Sequence, residues 1–83
     1  MKILYFAMLR ERIGRGEEDI SPPTEVITVS DLIGWLRSRD AAADLALERH
    51  NTIKAAIDAR IVPHSAPIAG AKVIALLPPM TGG

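Results

Sequence analysis

Two uninterrupted apolar stretches lie at opposite ends of this chain, Ile3–Leu9 behind Lys2 and Val73–Leu77 behind Lys72. A strand with one solvated face alternates apolar and polar residues, whereas a run without alternation reads as a strand covered on both faces. Both stretches, Lys2–Leu9 and Lys72–Leu77, are therefore expected in the middle of a sheet. Central strands contributed by the two ends of a chain pair side by side, and they run parallel if a helix carries the crossover between them. The chain has 83 residues, enough for one small domain that buries about 60–65% of its unfolded surface.

The residues between the two runs supply the crossover. Thr28 and Asp31 stand at capping-box spacing, with Asp in place of the usual Glu or Gln, and Ile27 and Leu32 occupy the two positions of a hydrophobic staple. Val29, Leu32, Ile33 and Leu36 then recur at helical spacing, which predicts the main helix from Val29 to near Asp40, with Trp35 at the margin of the stripe. Gly34 costs about 1 kcal/mol in helix propensity relative to Ala, so close packing is expected there. Asp40 is the expected N-cap of a shorter helix over Ala41–Glu48, closed by a turn at Arg49-His50-Asn51.

Upstream, Arg10–Ile13 has room for one helical turn stopped by Gly14. Gly14-Arg15-Gly16 reads as a hairpin turn, since the acids that follow it would repel phosphate. Glu17–Ser21 reads as a short acidic edge strand running into Pro22-Pro23. Downstream, Ile53–Ile57 alternates like a half-buried strand, and Asp58-Ala59 turns tightly into Arg60-Ile61-Val62. Pro63 and Pro67 bracket an irregular loop, and Ala69-Gly70-Ala71 makes another turn before the last strand. This order predicts an α+β protein: a β-grasp (ubiquitin-like) mixed sheet packed on one main helix, over residues 1–77, with residues 78–83 as an extended tail.

Composition narrows the function. Ten acidic and ten basic residues cancel, so neither nucleic acid nor an anionic membrane surface is expected as a partner. The chain has no cysteine, which removes thiol nucleophiles and Cys-based metal sites. The apolar start runs straight into Arg10-Glu11-Arg12 without a cleavage site and is too short to span a bilayer, so a soluble, cytoplasmic protein is expected. His50 and His64 have no ligand cluster beside them, so no metal site is expected, and the serines lack a nucleophile elbow. The chain looks like something that other proteins act upon.

The closing residues, Leu76-Leu77-Pro78-Pro79-Met80-Thr81-Gly82-Gly83, show what they would act on. The prolines end the strand and hold the chain extended. Gly82 and Gly83 carry no Cβ and make a thin end that a narrow site can admit. From Leu77 the arm reaches at most roughly 20 Å, with the carboxylate of Gly83 expected at its tip. Read with the opening Tyr5-Phe6-Ala7-Met8-Leu9-Arg10-Glu11 and Ile13-Gly14, and with the middle stretch Ala55-Ala56-Ile57-Asp58 through His64, Pro67-Ile68 and Gly70, this ending resembles the small, sulfur-carrying subunit of molybdopterin synthase. The resemblance covers nearly the whole chain, and its most specific part is Pro-Pro-x-Thr-Gly-Gly.

The resemblance implies a carrier that is not an enzyme on its own. An ATP-using activating enzyme would adenylate the Gly83 carboxylate, and sulfur transfer would convert it to a thiocarboxylate. The large synthase subunit would then receive the arm, and Gly83 would give its sulfur to cyclic pyranopterin monophosphate. Gly82 and Thr81 would let the tail pass. Leu77, Pro78, Pro79 and Met80, together with Ile61 and Phe6 on the sheet face away from the helix, are the expected partner contacts. No cofactor is expected on this chain itself. A thiamine-pathway sulfur carrier and a protein-conjugating modifier share the Gly-Gly end and the fold, and a non-reactive interaction module is the alternative of another class.

Overall fold

The computed structural model describes residues 1–79; Met80, Thr81, Gly82 and Gly83 lie outside the described residues. The elements are β1 (Lys2–Tyr5), α1 (Ala7–Ile13), β2 (Glu17–Asp19), α2 (Val29–Arg39), α3 (Ala41–Ala46), a short 3₁₀ turn (His50–Thr52), β3 (Lys54–Ile57), β4 (Arg60–Val62) and β5 (Val73–Leu77). The strands form one five-stranded sheet in the order β2-β1-β5-β3-β4. The two terminal strands do pair in parallel, Ile3 against Ile74 and Tyr5 against Leu76, while the other three pairings are antiparallel. The sheet is mixed, as the crossover argument requires.

Helix α2 forms where its caps are written. The Thr28 side chain accepts from the Asp31 amide at 3.1 Å, and the Asp31 carboxylate accepts in return from the amides of Thr28 and Ile27. Val29, Leu32, Ile33 and Leu36 are all buried. Asp40 caps α3 by accepting from the Ala43 amide at 2.7 Å. At the other turn, Asp58 and Ala59 both take positive φ (47° and 70°), and the Asp58 carboxylate accepts from the Lys72 and Val73 amides. That contact ties the β3–β4 turn to the start of β5.

Several expectations need correction. The first strand stops at Tyr5, and Ala7–Leu9 belong to α1, whose buried residues are Leu9 and Ile13, one helical turn apart. An apolar run alone does not separate a strand from a strand followed by a helix. Gly14 does stop that helix, at φ 90°, its amide donating to the Arg10 carbonyl. Because α1 occupies the link between β1 and β2, Gly14-Arg15-Gly16 is no hairpin turn. Nor are the central strands covered on both faces: burial alternates along β1 and β5, leaving Leu4, Val73, Ala75 and Leu77 half-buried on one side. Ala56 is buried where alternation within β3 predicts exposure. Ile27 is 60% exposed, so no staple closes over Leu32, and a Cβ on Gly34 would meet nothing within 4 Å.

The core gathers on the other side of the sheet. Ile3, Tyr5, Ile74, Leu76 and Ala55 join Leu9 and Ile13 of α1, the α2 stripe, Ala46 and Leu47 in one cluster. Among the described residues no helix is long and apolar enough to cross a membrane.

Candidate functional site

Strand β5 carries the chain through the middle of the sheet and releases it at Pro78. At that point Leu76 faces the core, fully buried, and Leu77 faces the open side. The register places Lys54 opposite Leu77 and Ala56 opposite both Ala75 and Ile61. Residues two apart on a strand share a face, so Leu77, Ala75, Lys54, Ala56 and Ile61 all lie on the open side.

The first strand reaches the same place from its other neighbour. The Phe6 amide donates to the Leu76 carbonyl at 3.2 Å, after which Ala7 takes φ 51° and the chain turns into α1. A non-glycine residue in this left-handed region costs about 1–2 kcal/mol. The turn leaves Phe6 44% and Met8 37% exposed.

These pieces line one apolar groove of about 660 Å³, with Phe6, Met8, Ile61, Leu77, Pro78 and Pro79 in its wall and Lys54 at its rim. Phe6, Ile61 and Leu77, expected together on the sheet face away from the helix, meet there with Pro78 and Pro79. Met8 and Lys54 were missed. Met8 sat in a run read as strand, and the place of Lys54 depends on a register that only the assembled sheet defines. The expected Gly83, Gly82, Thr81 and Met80 lie outside the described residues.

Polar chemistry is concentrated elsewhere. The Glu18 carboxylate accepts from the Tyr5 hydroxyl (2.7 Å), Arg15 Nε (3.0 Å) and Arg39 (2.9 Å), while Arg15 also reaches Asp40 at 3.1 Å. Burial alone would raise the Glu18 pKa, but the hydrogen bonds from Arg39, Tyr5 and Arg15 outweigh it and hold the carboxyl below its ordinary range. Burial, and then the bond to Glu18, push the Tyr5 phenol up. Asp40 is held low by the Ala43 amide first and by Arg15 second. The network joins β1, β2, α2 and the start of α3.

His64 is also structural, its Nε2 lying 2.7 Å from the Ile53 carbonyl oxygen. Among the described residues no group of three His, Cys, Asp or Glu side chains is placed to hold a metal ion. What the arrangement displays is an exposed apolar groove beside Pro78 and Pro79.

A model of the ThiS family matches residues 3–83. The chain belongs to the ThiS family. That family comprises small ubiquitin-like sulfur carriers, and the β-grasp fold described above is theirs. Among solved structures, SAMP1 from Haloferax volcanii is similar to this ThiS-family chain at 23% identity and a TM-score of 0.73, over 99% of this chain and 97% of that one. Another structure of the H. volcanii small archaeal modifier protein 1 matches at 22% identity and a TM-score of 0.71, over 94% of each chain. A putative molybdopterin converting factor, subunit 1, from Pyrococcus furiosus matches at 25% identity and a TM-score of 0.62, again over 94% of each chain. No curated protein matches the sequence.

Proposed function

We propose that this chain is the sulfur-carrying small subunit of a molybdopterin synthase, working in the cytoplasm. The observation that carries the reading is the junction at Leu77. There the central strand hands over to the sequence Pro78-Pro79-Met80-Thr81-Gly82-Gly83 beside an exposed groove of Phe6, Ile61 and Leu77. Large exposed apolar side chains gathered at one place mark a surface that another protein covers.

The chemistry follows from the carboxylate. A C-terminal carboxylate has a pKa of about 3.3–3.7, so at neutral pH it is an anion and resists nucleophilic attack. An activating enzyme that uses ATP forms the mixed anhydride of the Gly83 carboxyl with AMP and releases pyrophosphate. Hydrosulfide from the sulfur donor then forms a C–S bond at the carbonyl carbon as the C–O bond to AMP breaks. The product is a thiocarboxylate, whose sulfur is the nucleophile toward the pyranopterin in the large subunit. With no cysteine in the chain, its terminus is where reactive sulfur can be held. ATP, the acids and bases, and the groups that bind substrate phosphate belong to the partners.

The test is exact mass of the intact protein and of its C-terminal peptide after incubation with the adenylating enzyme, ATP and a sulfur donor. Exchange of one oxygen for sulfur at Gly83 nearly matches the nominal mass gain of oxidising Met80 in the same peptide. Thiol-selective alkylation separates the two. Sulfur confined to Gly83 is expected; an unmodified terminus with active enzyme overturns the reading. A second reading, a protein-conjugating modifier, is favoured by the likeness to SAMP1. It predicts isopeptide-linked Gly83 on lysines of other proteins instead of sulfur transfer.

A further inference from the structure

The root of the arm borders a second groove, on the side of α1 and α3. This groove, of about 370 Å³, shares Met8, Pro78 and Pro79 with the first and is otherwise lined by residues that include Arg12, Leu45 and Arg49. Leu45 is 66% exposed, although apolar residues of a short helix ordinarily face the core.

Lys2, Arg15, Arg37 and Arg39 are all held in ion pairs. Among the described residues Arg10, Arg12, Arg49, Lys54, Arg60 and Lys72 are in none, and all six are exposed. Arg12 and Arg49 line the second groove and Lys54 the first. One carboxylate, Glu48, also lines the second groove. Although the whole chain is neutral, the ground around Pro78 and Pro79 therefore carries an excess of positive charge.

Pro78 and Pro79 form part of both walls, so a protein that encloses the residues beyond them has to straddle both grooves. We infer that the groove between α1 and α3 docks an acidic segment of the adenylating enzyme, with carboxylates for Arg12 and Arg49 flanking an aliphatic side chain for Leu45 and Met8. The identity of that protein rests on the carrier reading; the chemistry of the segment rests on the charges and exposures here. Complementary charge at the rim of an interface acts mainly by steering encounter, so its mark is a salt-dependent association rate.

The experiment measures association of the full chain with the adenylating enzyme of its source organism by stopped flow, at low and at physiological ionic strength. The variants are Arg12→Glu/Arg49→Glu, the milder Arg12→Gln/Arg49→Gln, and Lys72→Glu at the opposite end of β5 as a control for charge alone. At low salt the double reversal is expected to slow association about tenfold or more and to flatten its salt dependence, with the Gln pair between it and wild type. The control should stay within about twofold of wild type, as a charge outside the contact does. Equal rates for the double reversal and the control overturn the proposal, even where Gly83 is adenylated normally.

Adenylation, read by exact mass in the same mixtures, reports the carrier reading separately. If the enzyme neither binds nor modifies the wild-type chain, the carrier reading fails and the groove is tested alone. The isotopically labelled chain is then titrated with the peptide Glu-Leu-Glu-Asp-Leu-Glu and with its Gln/Asn counterpart. Amide shifts confined to Arg12 and Leu45–Ile53, and seen with the acidic peptide alone, uphold the inference. Shifts at every exposed cation alike, or none, overturn it.

Discussion

Leu77 stands directly opposite Lys54 on the antiparallel pair β3–β5, and both side chains lie on the open face of the sheet. Leu77 is half-buried there, while its neighbour Leu76 is fully buried against the helices. That strand thus buries one leucine in the core and leaves the next half-exposed beside the groove.

Leu77→Asp is therefore expected to weaken binding to both the activating enzyme and the large subunit by tenfold or more, the order of loss when a central apolar contact worth about 1.4 kcal/mol is removed. The fold should survive, because the new carboxylate faces Lys54 and a cross-strand pair of opposite charge returns roughly 0.2–1 kcal/mol. Calorimetric titration reads the first effect and a thermal melt the second. Leu76→Asp is the contrasting case, and it should unfold the protein.

Ala7 at φ 51° is the second feature of the groove open to test. Glycine removes the left-handed penalty of about 1–2 kcal/mol but loses roughly 0.5–1 kcal/mol in chain entropy. Ala7→Gly should therefore leave stability unchanged or raise it by about 1 kcal/mol, a rise of roughly 4–8 °C in Tm at most for a domain of this size. A lower Tm would mean that the turn is not strained.

Glu18→Gln should cost about 1–3 kcal/mol, since it removes the charge that accepts from Arg15 and Arg39 inside a half-buried network. The pH dependence follows from the same groups. Glu18, Asp31 and Asp40 all have folded pKa values below their ordinary 4.5, 3.8 and 3.8. Each therefore adds stability that is complete above its ordinary value and is lost as pH falls through the lower folded one. The Tyr5 phenol is raised from 10.0, so its contribution is complete below that pH and is lost as the solution becomes more alkaline. Melts across pH should show a plateau with an acid limb beginning near pH 4.5. In Glu18→Gln that limb should be shallower.

Gly34 offers a gain. It sits within α2, and an added Cβ would meet nothing within 4 Å. Gly34→Ala should raise stability by about 1 kcal/mol through helix propensity alone, with no change in partner binding. Denaturant unfolding at unchanged slope would show it; destabilisation would mean that the helix needs the glycine for a contact absent from this structure.

Much of the architecture is local, and was legible for that reason. The capping box at Thr28 and Asp31, the stripe from Val29 to Leu36, the Asp40 cap and the Asp58-Ala59 turn each depend on residues within about a turn of one another. The parallel pairing of the terminal strands followed from two apolar runs and a helix between them. The arm's residues, on which the proposed chemistry rests, are plain in the sequence itself.

Tertiary structure decided what periodicity cannot carry. Ala7–Leu9 are as apolar as a strand requires, and only the turn at Ala7 and the space for Leu9 and Ile13 in the core make them a helix. Which face of β5 is covered depends on where the helices pack, since a period of two opposes two sets of residues without saying which is inside. Glu18 reads as one acid among three, yet sheet and helix packing bring it to Tyr5, Arg15 and Arg39, up to 21 positions away. The groove at the arm's root likewise joins Phe6, Lys54, Ile61 and Leu77 from four places in the chain. The residue types of this protein determined most of its elements and the sequence of its ending; the order and register of five strands determined which of those residues meet, because contacts between distant segments are set by the assembled sheet and by no local pattern.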